Sequence, residues 1–227
     1  MKKIWSLKDV FLFFLIVILG FGVLTLVFFL IEASPFIISI VLDFGLFIIV
    51  CSTLWYFLKK NKISLDDFGF NDVSFKFFLL SFVLGIAVLF IGSYLTMSLS
   101  KLVGLGIDSD LSLFKDIIGE INWSKIYIFK LTVGILLPLA EEILFRGVLF
   151  RFIRGRKPFL FAAISSSLIF AIAHFSLMGF ITFFLLGFAC AYIFEKSKSI
   201  FYSFMVHGIL NYMTINLFVM NMMLNSS

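Results

Sequence analysis

The stretch Val10–Ile31, VFLFFLIVILGFGVLTLVFFLI, runs for 22 residues without a charge. At about 1.5 Å of rise per residue, a helix of that length crosses the roughly 30 Å hydrocarbon layer of a bilayer. The run is too long for the apolar region of a signal peptide and lacks a small-residue cleavage site, so it reads as a retained span. Six further runs follow, at Phe36–Leu58, Phe77–Leu99, Ile126–Phe150, Phe159–Met178, Gly179–Phe194 and Ile200–Met220. Composition agrees, with 62% hydrophobic residues, 14% charged and 34 phenylalanines in 227 residues, whereas soluble domains carry about 25% charge. The expected fold is all-α, a polytopic transmembrane helix bundle of about seven spans, since a helix satisfies its own backbone in lipid.

Short loops with excess Lys and Arg face the cytoplasm. With the N-terminus inside, Lys2, Lys3, Lys8, Lys59, Lys60, Lys62, Lys76, Arg151, Arg154, Arg156, Lys157, Lys196 and Lys198 fall on the cytoplasmic side. Only Lys101, Lys115 and Lys125 fall outside, together with the uncharged tail 221–227. The net charge of +5 follows from this topology and from contact with the bilayer's inner surface, and needs no nucleic-acid partner. Abundant Phe, Ile, Lys and Asn point to a bacterial source and a multi-pass protein of the plasma membrane.

The chain divides into residues 1–125, a three-span region with polar loops, residues 126–220, a four-span core, and the tail 221–227. Cys51 and Cys190 lie in separate spans with no paired motif and read as buried apolar thiols. Asp66, Asp67 and Asp72, and Asp108, Asp110, Asp116 and Glu120, read as acids of solvated loops, with a cation site as the alternative. Glu32 lies at a span end beside Pro35, where it reaches water. Asp43, the one mid-span charge of the first three spans, is either a functional group or a helix-packing residue paired with a neighbour.

The strongly polar groups of the core fall into three clusters: Glu141, Glu142 and Arg146; Phe170 and His174; His207 and Asn211. Ionisable groups in lipid-embedded helices cost roughly 2.5–3.5 kcal/mol each even on mild scales, which makes them functional-site candidates. Glu142 and Arg146 stand four apart on one helix face and form an ion pair, whereas Glu141 is turned about 100° away and is free for chemistry. Pro138 suits a helix start or a kink that opens backbone groups. His207 and Asn211 share a face and present N–H donors of the kind that stabilise a tetrahedral oxyanion. Glu141 and His174 supply a base and its partner for activating water. Counted from the cytoplasmic turns, Glu141, His174 and His207 stand at about 21, 28 and 15 Å, so straight parallel helices would not bring them together.

This ordered set, Glu141-Glu142-x-x-x-Arg146, Phe170-x-x-x-His174 and His207-x-x-x-Asn211, resembles the signature of the CAAX protease and bacteriocin-processing (Abi) family of intramembrane proteases. The likeness covers about residues 126–220. It implies a helical bundle that hydrolyses a peptide bond of a membrane-associated protein or peptide, with Glu141 and His174 activating water, His207 and Asn211 as the oxyanion site, and Glu142, Arg146 and Phe170 in support. The family is commonly labelled metalloprotease, and Glu141, His174 and His207 would be the ligands of one zinc ion. No His-x-x-x-His zinc helix is present, and Asn211 is a poor zinc ligand, so the favoured reading holds no metal or other cofactor. The other functional class is a non-catalytic membrane adaptor or immunity protein that binds a membrane-protein partner. A transporter would show paired half-sequence repeats, which are absent.

The topology has a direct check. Reporter fusions after Lys60 and after Lys198 are expected to read cytoplasmic and a fusion after Asp110 external; the inverted pattern contradicts the assignment.

Overall fold

The computed structural model describes residues 4–31, 33–71, 74–104 and 115–225. Glu32, Asp72, Asp108, Asp110, Lys2, Lys3 and the last two residues of the tail lie outside the described residues. Every regular element among the described residues is a helix. Helix α1 (Leu7–Phe29) starts in a capping box, where the Ser6 hydroxyl accepts the Asp9 N–H and the Asp9 carboxylate accepts the Ser6 N–H. Helix α2 (Pro35–Asn61) starts at Ser34 with proline in its first turn, where the missing N–H costs nothing. A short α3 (Leu65–Phe68) precedes α4 (Phe75–Val103).

The next run, α5, has five parts: α-helical Trp123–Leu131, π-helical Thr132–Leu136, α-helical Leu137–Glu142, π-helical Ile143–Phe150 and α-helical Arg151–Arg154. Helices α6 (Phe159–Ala173), α7 (Phe180–Ser197) and α8 (Ile200–Asn225) complete the core. Five helices, α1, α2, α4, α7 and α8, have the length and apolarity of complete spans. The seven expected runs are all helical, but two differ from full spans. Helix α6 has 15 residues, about 22 Å and short of the hydrocarbon thickness. Its apolar sequence continues to Met178 while the backbone turns after Ala173, with Phe175 at φ 50°. Helix α5 is interrupted by its wide π turns.

Helix α7 packs on α4, α6 and α8, and α8 also packs on α4 and α5; α2 joins α1 to the middle of α5. Large apolar side chains such as Phe11, Ile18, Val23 and Phe29 point outward from α1, as a lipid-facing helix requires. The chain is a membrane protein.

At one end of the bundle the N-terminal region is fastened to the core. The Trp5 indole N–H donates to the Gly147 carbonyl at 2.8 Å, and Arg156 donates to the Trp5 carbonyl at 2.9 Å. Lys60 pairs with Asp9 at 2.8 Å, Arg154 pairs with Glu195 at 3.0 Å, and Arg151 donates to the Asp67 carbonyl. The basic residues assigned to the cytoplasm thus gather at this end. Phe68 lies so close to Gly147 that an added Cβ would stand 2.3 Å from its ring.

Gly147→Ala is therefore expected to overpack the contact, costing about 1–3 kcal/mol and lowering the midpoint of a thermal melt in detergent. Gly134→Ala, where an added Cβ meets nothing within 4 Å, is the control. Equal midpoints for the two variants would contradict the packing described here.

Candidate active site

Helix α5 places Glu142 and Arg146 one turn apart with both side chains fully buried. Arg146 Nε stands 2.9 Å from Glu142 Oε2, and Nη2 donates to Oε1 at 3.1 Å, a two-point pairing that neutralises both charges away from water. The guanidinium carbon lies 4.8 Å from the centre of the Phe170 ring, which covers the pair from α6. The same Phe170 ring stands edge-on to Phe145 and to His207. Cys190 on α7 is a buried free thiol of the core, as expected, and its Sγ donates to the Ser203 carbonyl at 3.4 Å.

His207 on α8 lies between the two glutamates. Its Nδ1 stands 3.1 Å from Glu142 Oε1 and its Nε2 stands 3.5 Å from Glu141 Oε2. A carboxylate paired to arginine only accepts, so Nδ1 carries a proton and Nε2 faces Glu141. His174 caps the C-terminus of α6. Its Nδ1 is 2.8 Å from the Phe170 carbonyl, which also only accepts, so the neutral ring turns the Nε2 lone pair toward Glu141 Oε2, 3.8 Å away. The ring stacks on Phe183 with centroids 3.9 Å apart, which fixes its plane. Glu142 is sealed, but the side chains of Glu141 and His174 are 16% and 19% exposed. The neighbouring carboxylates thus occupy different environments.

The three groups meet although their counted depths differ. His174 stands fifteen residues above the first residue of α6, about 22 Å and not 28, because the connection before Phe159 contributes no rise. The π turns between Ile143 and Phe150 place more residues in each turn and lower Glu141 toward His207.

Asn211 is held by a backbone group that Pro138 sets free. In the first π segment the Leu137 N–H donates to the Thr132 carbonyl five residues back. Continuing that pattern, residue 138 would donate to Val133, but proline has no N–H. The Val133 carbonyl instead accepts from Asn211 Nδ2 at 2.9 Å. Gly208 makes room for this: a Cβ there would stand 3.0 Å from the Gly134 carbonyl, so α8 approaches α5 closely. One Asn211 N–H remains for another acceptor. Asp43 on α2 faces the Thr132 side chain, and one of its carboxylate oxygens is buried without a hydrogen bond.

Residues 123–213 match the model of a family described as Type II CAAX prenyl endopeptidase Rce1-like. Over this region the chain is similar to that family. The Bacillus subtilis (strain 168) protein named "Putative membrane peptidase YdiL" is 32% identical over 74 residues, which cover 33% of this chain and 30% of that protein. The chain thus spans about a third of the length of the curated relative it matches. No solved structure matches the chain.

The CAAX endopeptidase match starts at Trp123 and takes in α5, α6, α7 and the first half of α8, the elements that carry all the clustered residues. Among the described residues no group of three His, Cys, Asp or Glu side chains is arranged to hold a metal ion.

Arg146→Ala strands Glu142 as a buried carboxylate, which costs about 3–5 kcal/mol. Its membrane yield and melting midpoint are expected to fall along with any activity. A variant as stable as the parent would contradict the structural role of the pair.

Proposed function

We propose that the protein is an intramembrane endopeptidase of a bacterial plasma membrane, hydrolysing a peptide bond of a membrane-associated protein or peptide. The observation that carries this reading is the partly exposed Glu141 carboxylate, set 3.8 Å from His174 Nε2 and 3.5 Å from His207 Nε2. Those gaps suit a bridging water better than direct bonds. Glu141 takes a proton from that water while His174 orients it through Nε2, and the hydroxide attacks the scissile carbonyl carbon. The carbonyl oxygen becomes an oxyanion beside the remaining Asn211 N–H. His207 adds a second donor in its imidazolium form, with a proton on Nε2 as well as on Nδ1. When the C–N bond breaks, the proton held by Glu141 passes to the leaving amine. The Glu142–Arg146 pair touches no substrate in this scheme; it holds His207 beside Glu141. No step requires a metal.

The test compares membrane peptides, by mass spectrometry, from cells carrying the parent protein and Glu141→Gln. Glu141→Gln is expected to lower turnover by roughly 10² to 10⁴ with the fold intact. Asn211→Ala is expected to lower it by about 10² to 10³. Activity is expected to survive a chelator. If Glu141→Gln retains full biological activity while folded and inserted, the protein acts by binding a partner and not by cleavage.

A further inference from the structure

Helix α2 ends among three lysines, Lys59, Lys60 and Lys62, at the end of the bundle where the basic residues gather. Lys60 is neutralised by Asp9 at 2.8 Å. Lys59 and Lys62 are exposed, and among the described residues no carboxylate lies within 4 Å of either. The nearest acids that follow, Asp66 and Asp67, belong to the first turn of α3, where the Ser64 hydroxyl donates to Asp67 at 3.0 Å. One lysine of the three is thus a structural partner, and the other two carry unmatched charge.

Those two lysines help to line a cavity of about 290 Å³. One wall is the stripe Trp55, Leu58, Lys59 and Lys62, whose spacings of three, four and seven residues share one helix face. Ile63 and Leu65 form the other wall. The chain reverses at Lys62, whose φ of 52° lets the Ile63 N–H reach back to the Leu58 carbonyl at 2.9 Å. Glycine suits that left-handed conformation best; lysine there adds an ammonium to the cavity. Lys59 Nζ lies 4.8 Å from the centre of the Trp55 ring, and Trp55 is itself 57% exposed. Trp55 stands six residues before the end of α2, about 9 Å. Tryptophan so near the end of a spanning helix belongs at the level of the lipid headgroups.

The lining selects its occupant. A small soluble anion has no use for Leu58, Ile63 and Leu65, and a purely apolar chain has none for two ammonium groups. An amphiphile with a negative head uses both, and at headgroup depth that amphiphile is a phospholipid. The volume, close to the lower limit for small-molecule sites, fits the headgroup and its glycerol while the acyl chains stay in the bilayer.

We propose that the cavity between Trp55 and Leu65 binds an anionic phospholipid of the cytoplasmic leaflet, with Lys59 and Lys62 receiving its headgroup. The site is independent of the peptidase reading.

The test offers full-length protein in detergent micelles either phosphatidylglycerol or phosphatidylcholine with the same acyl chains, and counts bound lipid by native mass spectrometry. Phosphatidylglycerol is expected to bind about 10- to 30-fold more tightly, the scale of two lysines at a membrane surface. Replacing both residues, Lys59→Gln with Lys62→Gln, is expected to abolish the preference while the weaker binding of phosphatidylcholine persists, which also shows that the variant is folded. Lys8→Gln with Lys76→Gln removes the same charge from the same end and is expected to keep the preference. Glycerol phosphate, a headgroup without chains, is expected not to displace the lipid at equal concentration. Equal binding of the two lipids, a preference that survives the Lys59 and Lys62 changes, equal losses in the two double variants, or displacement by glycerol phosphate overturns the proposal.

Discussion

The Glu142–Arg146 pair is the constraint on which the site depends. Two opposite charges, neither exposed, are tolerable in a membrane protein only if each satisfies the other, and the pair is closed on a further side by the Phe170 ring. Once it is in place, one carboxylate oxygen is left to position His207. His207 then points its other nitrogen at Glu141. Neighbouring glutamates of one sequence thus come to differ in environment: one is sealed against arginine, and the other is partly exposed beside two imidazoles. Helix α5 sets this difference, because consecutive residues on a helix face different directions.

The irregularities of α5 give that helix its reach. Its π turns and Pro138 would be defects in a helix that merely crossed a bilayer, since each leaves backbone groups without their usual partner. Here the freed Val133 carbonyl receives Asn211, and close contact at Gly134 and Gly208 brings α8 near enough for the bond to form. The Gly147 carbonyl, in the second π segment, accepts the Trp5 indole N–H, which ties the N-terminal region to the same helix. Non-helical pairing at membrane depth is confined to places where protein covers it.

Apolar run length was enough to place the helices, because lipid demands long uninterrupted hydrophobic segments. It could not show where the backbone turns: Phe159–Met178 reads as one run, yet α6 ends at Ala173, since Phe175 and Leu177 are as apolar in a turn as in a helix. The Glu142–Arg146 contact was legible from a four-residue spacing. The His207–Glu142 contact joins residues 65 apart and has no local signature. Carbonyl acceptors such as Phe170 and Val133 carry no side-chain signal at all, although Pro138 marks where a carbonyl loses its donor.

The most direct measurement is the accessibility of the adjacent glutamates in the folded, membrane-embedded protein. A membrane-permeant carbodiimide, followed by peptide fragmentation that resolves the two positions, reads it. An adduct on Glu141, with Glu142 unlabelled until the protein is unfolded, is the predicted result. Equal labelling of both, or labelling of Glu142 alone, would contradict the assignment of one glutamate to the buried frame and the other to the site.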